Sequence, residues 1–207
     1  MTSADEKRRF FDEAAEEFAQ DDLSDQREKI EWMLDAWNVQ PGMTVLEPGC
    51  GAGQITVRLA EAVGEAGSII ALDISSKMIE EARRCLANHE DLGNRVTFHE
   101  GGLEGYDAAR DSIDLVIAYR FFPHLEDIPA GLEVIAGALR PDGLLFIDHP
   151  AGREQINEFH ERVGGAVSDD AIPDEDDLRQ LLESAGMRLE ELIDREELYH
   201  ARARLIA

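Results

Sequence analysis

The segment Glu47-Pro48-Gly49-Cys50-Gly51-Ala52-Gly53 sets a carboxylate beside three alternate glycines. Glycines at that spacing let a chain leave a strand through a sharp bend, approach a ligand closely and enter a helix. The dinucleotide fingerprint needs its third glycine three positions after the second, and residue 54 is Gln, so the pattern is GxGxG. Glu47 would oppose a pyrophosphate but suits the ammonium of a methionine moiety, which favours S-adenosyl-L-methionine over a nicotinamide dinucleotide. Asp73 follows Glu47 by 26 residues and ends the next expected strand. A carboxylate there can accept both hydroxyls of a ribose, or simply cap the following helix.

Displacing a methyl group from a sulfonium demands alignment and exclusion of water, and a base only where the acceptor must lose a proton. Histidine titrates in the useful range. His124, in the loop Tyr119-Arg120-Phe121-Phe122-Pro123-His124-Leu125, and His149, after Asp148, both follow expected strands. They belong to the carboxyl-end rim where doubly wound folds bind ligands, with helix packing (His124) and a plain loop position (His149) as the alternatives. In Arg153–Val163 a helical wheel puts Ile156, Phe159 and Val163 on an apolar stripe, with Arg153, Asn157 and His160 in a polar row beside it. This helix and the Gly164-Gly165 break are expected to form a substrate lid, with Arg153 and His160 on the acceptor; a partly exposed surface helix is the alternative. His149 and His160 with Asp148 or Asp169 could supply metal ligands, but nothing fixes their geometry, and no metal is expected.

These residues need a frame. Apolar spacing predicts helices over about Asp5–Ala19 and Ser24–Trp37, the second with Ser24 as N-cap, and then a turn at Val39-Gln40-Pro41-Gly42. Strands are expected at Thr44–Glu47, Ser68–Asp73, Val96–Phe98, Ile113–Ala118 and Leu144–Asp148, with helices at Gln54–Val63, Ser76–Asn88 and Ile128–Leu139. Such alternation predicts a doubly wound, Rossmann-like α/β fold with a mainly parallel sheet. A helix at Glu175–Ala185 and strands near Arg188–Ile193 and Tyr199–Ile206 complete the chain. One domain over residues 1–207 is expected: a helical cap (1–38), a cofactor-binding core (39–150), and the lid helix with C-terminal strands (151–207).

Forty-five acidic residues against 20 basic ones give a net charge of −25, which repels nucleic acid and anionic membrane surfaces as partners. Three of the basic residues are lysines (Lys7, Lys29, Lys77), a balance that suits either a high-salt habitat or a GC-rich genome. No apolar run of about 18 residues exists and the N-terminus lacks a secretory signal, so a cytoplasmic protein is expected. Cys50 and Cys85 are the only cysteines and read as reduced thiols.

Val45-Leu46-Glu47-Pro48-Gly49-Cys50-Gly51-Ala52-Gly53 resembles motif I of the class I, S-adenosylmethionine-dependent methyltransferases. Leu72–Ile79 resembles motif II, Ser112–Val116 motif IV, and Leu139–Leu145 the turn and strand that follow in that family. Phe10–Ala15 resembles the helix that closes over the cofactor in the small-molecule branch, so the likeness covers about residues 8–150. The resemblance implies a seven-stranded methyltransferase sheet and methyl transfer to a small-molecule acceptor, leaving S-adenosyl-L-homocysteine. It implies that Glu47, Gly49, Cys50, Gly51 and Gly53 hold the methionine portion, Asp73 the ribose, and Ile74 and Met78 the adenine. Ala118 and Tyr119 would line the methyl-donor end. Family members often place an acid after the glycine that follows the third strand; here Gly102 occupies that place, so either the backbone of Gly102 and Leu103 serves the adenine alone or Glu100 substitutes. A non-catalytic cofactor-binding sensor or partner subunit is the alternative to an enzyme. Acceptor identity and oligomeric state are not expressed in these motifs.

Overall fold

Val45, Leu46, Glu47 and Pro48 are all buried, as befits a strand covered on both faces, and they form β1 (Thr44–Pro48). In the computed structural model, which describes residues 2–89 and 91–206, two compact units divide at Gly102 and Leu103. The strand order is β3-β2-β1-β4-β5-β7-β6 in a seven-stranded sheet, with β1–β3 in the first unit and β4–β7 in the second. That is the mixed, mostly parallel α/β sheet expected.

In the first unit, β2 (Ser68–Asp73) lies parallel to β1, with Glu47 opposite Ala71, and β3 (Val96–Glu100) lies parallel to β2, with Asp73 opposite Glu100. The parallel registers bring Glu47 and Asp73 to the carboxyl ends of adjacent strands. Helix α3 (Gln54–Val63) follows β1, and α4 (Ser76–Ala87) follows β2 with Ser75 as N-cap, its side chain accepting from Met78 N at 3.1 Å. Two helices precede them, α1 (Ser3–Gln20) and α2 (Arg27–Trp37). Ser24 is not an N-cap: it opens a short 3-10 turn, Ser24–Gln26, before α2. The carboxylates of Asp21 and Asp22 accept the amides of Leu23 and Ser24 at 2.9 Å each, which turns the chain before the α-helix starts.

The second unit holds β4 (Ile113–Tyr119), α5 (Ile128–Ala138), β5 (Leu139–His149), α6 (Arg153–Val163), α7 (Glu175–Ser184), β6 (Met187–Arg195) and β7 (Leu198–Leu205). β4 and β5 are parallel, with Ala118 opposite Ile147 and Tyr119 opposite Asp148; β7 runs antiparallel to both β5 and β6. β5 starts five residues earlier than its apolar run at Leu144, because Leu139 already pairs with Ile113 and the exposed Arg140–Asp142 stretch bulges before pairing resumes at Leu115.

The stripe expected on α6 is overturned. Phe159 is 53% and Val163 42% exposed, whereas Ile156 and His160 are buried. The polar edge is the docked edge: Asn157 donates to Ile172 O at 3.1 Å and accepts from Ile172 N at 2.8 Å, and His160 Nδ1 donates to Asp170 O at 2.8 Å. Those bonds lay the 167–172 segment against the helix, where Val167 and Ile172 are buried.

Candidate cofactor loop and histidine cluster

Three glycines carry the chain from β1 into α3 in left-handed backbone: Gly49 at φ 70°, Gly51 at φ 53° and Gly53 at φ 89°. At Gly53 the reason is also spatial, since a Cβ would lie 2.8 Å from Ala82 Cα on α4. At Gly51 a Cβ would meet nothing within 4 Å, so the bend faces open space on that side. Cys50 N donates to Leu72 O at 2.9 Å, and Gly51 N to Asp73 Oδ2 at 2.9 Å, which fastens the loop to the end of β2. Asp73 Oδ1 accepts from Ser75 N at 2.9 Å.

Glu47 is 2% exposed and its Oε2 has no hydrogen-bond partner among the described residues. Burial, against a stabilising interaction with the Thr56 side chain and with the neighbouring Asp73 charge adding to the rise, pushes its carboxyl up to about 8 from an ordinary 4.5. Asp73 is raised to about 6 for the same first reason, against the two amides that stabilise its charge and with the Asp12 charge adding to the rise. Burial and then these two carboxylates push the Cys50 thiol up as well, so it is no thiolate nucleophile. A desolvated carboxyl with an unpartnered Oε2, beside glycines in left-handed backbone, fits a ligand that brings a cation: the ammonium of the methionine portion would satisfy Glu47 Oε2, and Asp73 keeps lone pairs for hydroxyls.

Helix α1 is tied to this loop. The Ser75 hydroxyl donates to Asp12 Oδ1 at 2.6 Å, Gln54 Nε2 donates to Phe18 O at 2.7 Å and to Asp21 O at 2.9 Å, and Met78 packs in a cluster with Ala15, Ala52, Phe11 and Phe18. Gln54, read in the sequence only as a missing glycine, thus holds the carboxyl end of α1. Ile74 is half-buried. The stretch after β3 turns back at Gly101, whose amide donates to Asp73 O at 2.8 Å; Gly102 is half-buried, Leu103 buried, and Glu100 exposed.

In the second unit Ala118 and Tyr119 are buried at the end of β4, and Arg120, in left-handed backbone at φ 53°, donates its amide to Asp148 O at 2.8 Å. His124 Nδ1 lies 2.6 Å from Asp170 Oδ2, and its ring centroid is 4.9 Å from that of His160. His149 is 5% exposed and its Nε2 has no partner; burial first, then the nearness of His124, Arg120 and His160, holds it well below the usual histidine range. The structure therefore gathers His124, His149 and His160, and adds Arg120 and Asp170, which no spacing in the sequence connected.

A family model described as a methyltransferase domain matches residues 39–186. The chain belongs to this methyltransferase family. Nocamycin O-methyltransferase of Saccharothrix syringae is 32% identical over 69% of this chain and 51% of that protein. The ubiquinone/menaquinone biosynthesis C-methyltransferase UbiE of Escherichia coli is 26% identical over 74% of this chain and 69% of that protein. The chain spans 33% and 51% of the lengths of the curated relatives it matches at 34% and 32% identity. In fold it is similar to a SAM dependent methyltransferase from Aquifex aeolicus, with a TM-score of 0.69 over the whole of both chains at 22% identity. The cofactor of this methyltransferase family is the one expected from the loop, S-adenosyl-L-methionine.

Arg153 bonds Asp194: its amide donates to Asp194 Oδ1 at 2.9 Å and its guanidinium lies 3.7 Å from Asp194 Oδ2, which ties the start of α6 to β6. The metal-ligand set of His149, His160 and Asp148 or Asp169 is not assembled, because Asp148 accepts from His200 Nδ1 at 2.7 Å and Asp169 is exposed. No group of three or more histidine, cysteine or acidic side chains among the described residues could hold a metal ion.

Proposed function

We propose that this methyltransferase-family chain transfers the methyl group of S-adenosyl-L-methionine to a small-molecule acceptor, releasing S-adenosyl-L-homocysteine. The observation that carries this reading is the buried Glu47 carboxyl, whose Oε2 has no hydrogen-bond partner among the described residues, just before a glycine bend that is bonded to Asp73. Glu47 and the backbone from Gly49 to Gly53 hold the methionine end. Asp73 takes the ribose hydroxyls, while Ile74, Met78 and the backbone at Gly102 serve the adenine. Asp12, Gln54 and the buried face of α1 position the loop.

The cofactor supplies an electrophilic methyl group on a sulfonium, so the chain's own work is orientation, exclusion of water and, where the acceptor is protonated, removal of that proton. His124 is the residue we assign to the proton. Its Nδ1–H donates to Asp170, which selects the tautomer whose Nε2 carries the basic lone pair. His160 helps hold Asp170 in place by bonding its backbone carbonyl. His149 contacts the acceptor.

A small acceptor is supported by the net charge of −25, which disfavours nucleic acid, and by the chemistry in the names of the O- and C-methyltransferase relatives. No described helix is long and apolar enough to cross a membrane. The test is incubation with methyl-labelled S-adenosyl-L-methionine and a metabolite extract. Label moving to a small product supports the reading; release of no labelled product by protein that binds the cofactor contradicts it.

A further inference from the structure

The second unit concentrates cationic and imidazole groups in a chain of strongly negative charge. Tyr119 pairs with Asp148 in the β4–β5 register, and the Arg120 amide bonds Asp148 O, so Arg120 and His149 leave neighbouring strand ends side by side. Arg120 does so in left-handed backbone at φ 53°, a conformation that costs a non-glycine residue and is kept where surroundings impose it. His149 is 95% buried by its 5% exposure, with an Nε2 that has nothing to bond. A buried polar nitrogen without a partner asks for an explanation, and a ligand atom supplies one. His124 and His160 stand close by with rings 4.9 Å apart. The acid of this group, Asp170, already accepts from His124 through its side chain and from His160 through its backbone.

We infer that the acceptor of the proposed methyl transfer carries a carboxylate, held by the Arg120 guanidinium and by Nε2–H of His149 at the carboxyl ends of β4 and β5. The inference rests on the methyltransferase reading for the word acceptor, but the anion site stands on the second unit alone. A guanidinium offers a planar fork that matches a carboxylate, and a neutral imidazole in its Nε2–H tautomer adds one donor. The low protonation tendency of His149, set by burial and by His124, Arg120 and His160 around it, keeps it neutral before the anion enters. A singly charged group is specified over a phosphate because Asp170 stands in the same cluster and repels a dianion.

The probe is benzoate, with its uncharged amide benzamide as control, titrated into the whole protein. Binding is read by calorimetry and by the side-chain nitrogen NMR signals of His149. We expect saturable benzoate binding that moves the His149 Nε2 signal, no such response to benzamide, and binding at least about 10-fold weaker in Arg120→Gln and His149→Gln, the loss expected for one charge-assisted hydrogen bond. Arg120→Lys, which keeps the charge and long stem, should retain part of the affinity. Absence of benzoate binding, equal response to benzamide, or undiminished affinity in folded Arg120→Gln would overturn the inference. S-adenosyl-L-homocysteine is titrated into the same samples. Its binding without a benzoate response removes only the carboxylate site, whereas a benzoate response without its binding removes the methyltransferase reading and leaves the anion site standing.

Discussion

The Ser75 hydroxyl donates to Asp12 Oδ1 at 2.6 Å across 63 residues of sequence, joining the middle of α1 to the first turn of α4. Ser75 is also the N-cap of α4 and the amide partner of Asp73. One bond therefore couples the covering helix to the carboxylate proposed to hold the ribose.

Replacing Asp12 by Ala should loosen α1 without unfolding the sheet. The lost bond to a charged acceptor is worth about 1.5–3 kcal/mol. Hydrogen exchange should quicken in α1 and at the first turn of α4, and S-adenosyl-L-homocysteine should bind about 10-fold more weakly. Unchanged exchange in α1 would show that Gln54 and the Met78 cluster hold the helix without Asp12.

Glu47 makes stability depend on pH in a defined direction. Its carboxyl is raised in the folded protein to about 8 from 4.5, so the fold keeps a proton that the unfolded chain gives up. The resulting stability is complete below pH 4.5 and is lost as the pH rises towards about 8. Asp73 adds the same trend between 3.8 and about 6. Urea titrations from pH 5 to 8.5 should show falling stability in the wild type and a flatter profile in Glu47→Gln. A wild-type profile that rises across this range would contradict the raised carboxyl.

Gly53→Ala should cost about 2–4 kcal/mol, since a side chain at φ 89° is strained and its Cβ would press on the Ala82 backbone at 2.8 Å. Thermal unfolding measures the cost. Gly51→Ala, where a Cβ meets nothing within 4 Å, should destabilise less yet impair cofactor binding as much.

Asp170→Asn should lower the turnover of a proton-bearing acceptor by about 10²-fold, in the range of general-base contributions, while leaving cofactor affinity within about twofold. The variant keeps the shape of the side chain but removes the carboxylate that fixes the His124 tautomer. The His124 nitrogen signals should change from the Nδ1–H pattern. Turnover that survives in a variant showing that changed pattern would remove His124 as the base.

The elements that position the cofactor loop were legible because each had a local signal. The Gln54–Val63 helix follows three glycines and carries its own apolar face, and its bounds match those read from the residues. The end of β2 at Asp73 was readable for the same reason, while β1 runs one residue past the expected Glu47, to Pro48. The α6 face was not, because periodicity treats histidine and asparagine as solvent-facing, and here Asn157 and His160 dock a returning loop while Phe159 is left outside. Asp170 lay hidden in an acidic stretch, 46 residues from His124, and only tertiary folding pairs them. Arg120 carried no motif; its left-handed backbone is a property of the fold. Gln54 was informative for what it is not, and its bonds to α1 come from a contact 33 to 36 residues away.

The central claim, that the loop from Glu47 to Gly53 with Asp73 holds S-adenosyl-L-methionine, is tested most directly by calorimetric titration of S-adenosyl-L-homocysteine and of NAD into the whole chain. The account predicts one site per chain for S-adenosyl-L-homocysteine, none for NAD, and a loss of at least about 10-fold in affinity in folded Glu47→Gln. Binding of NAD that Asp73→Ala abolishes, or folded wild-type protein that gives no heat with S-adenosyl-L-homocysteine, would contradict it.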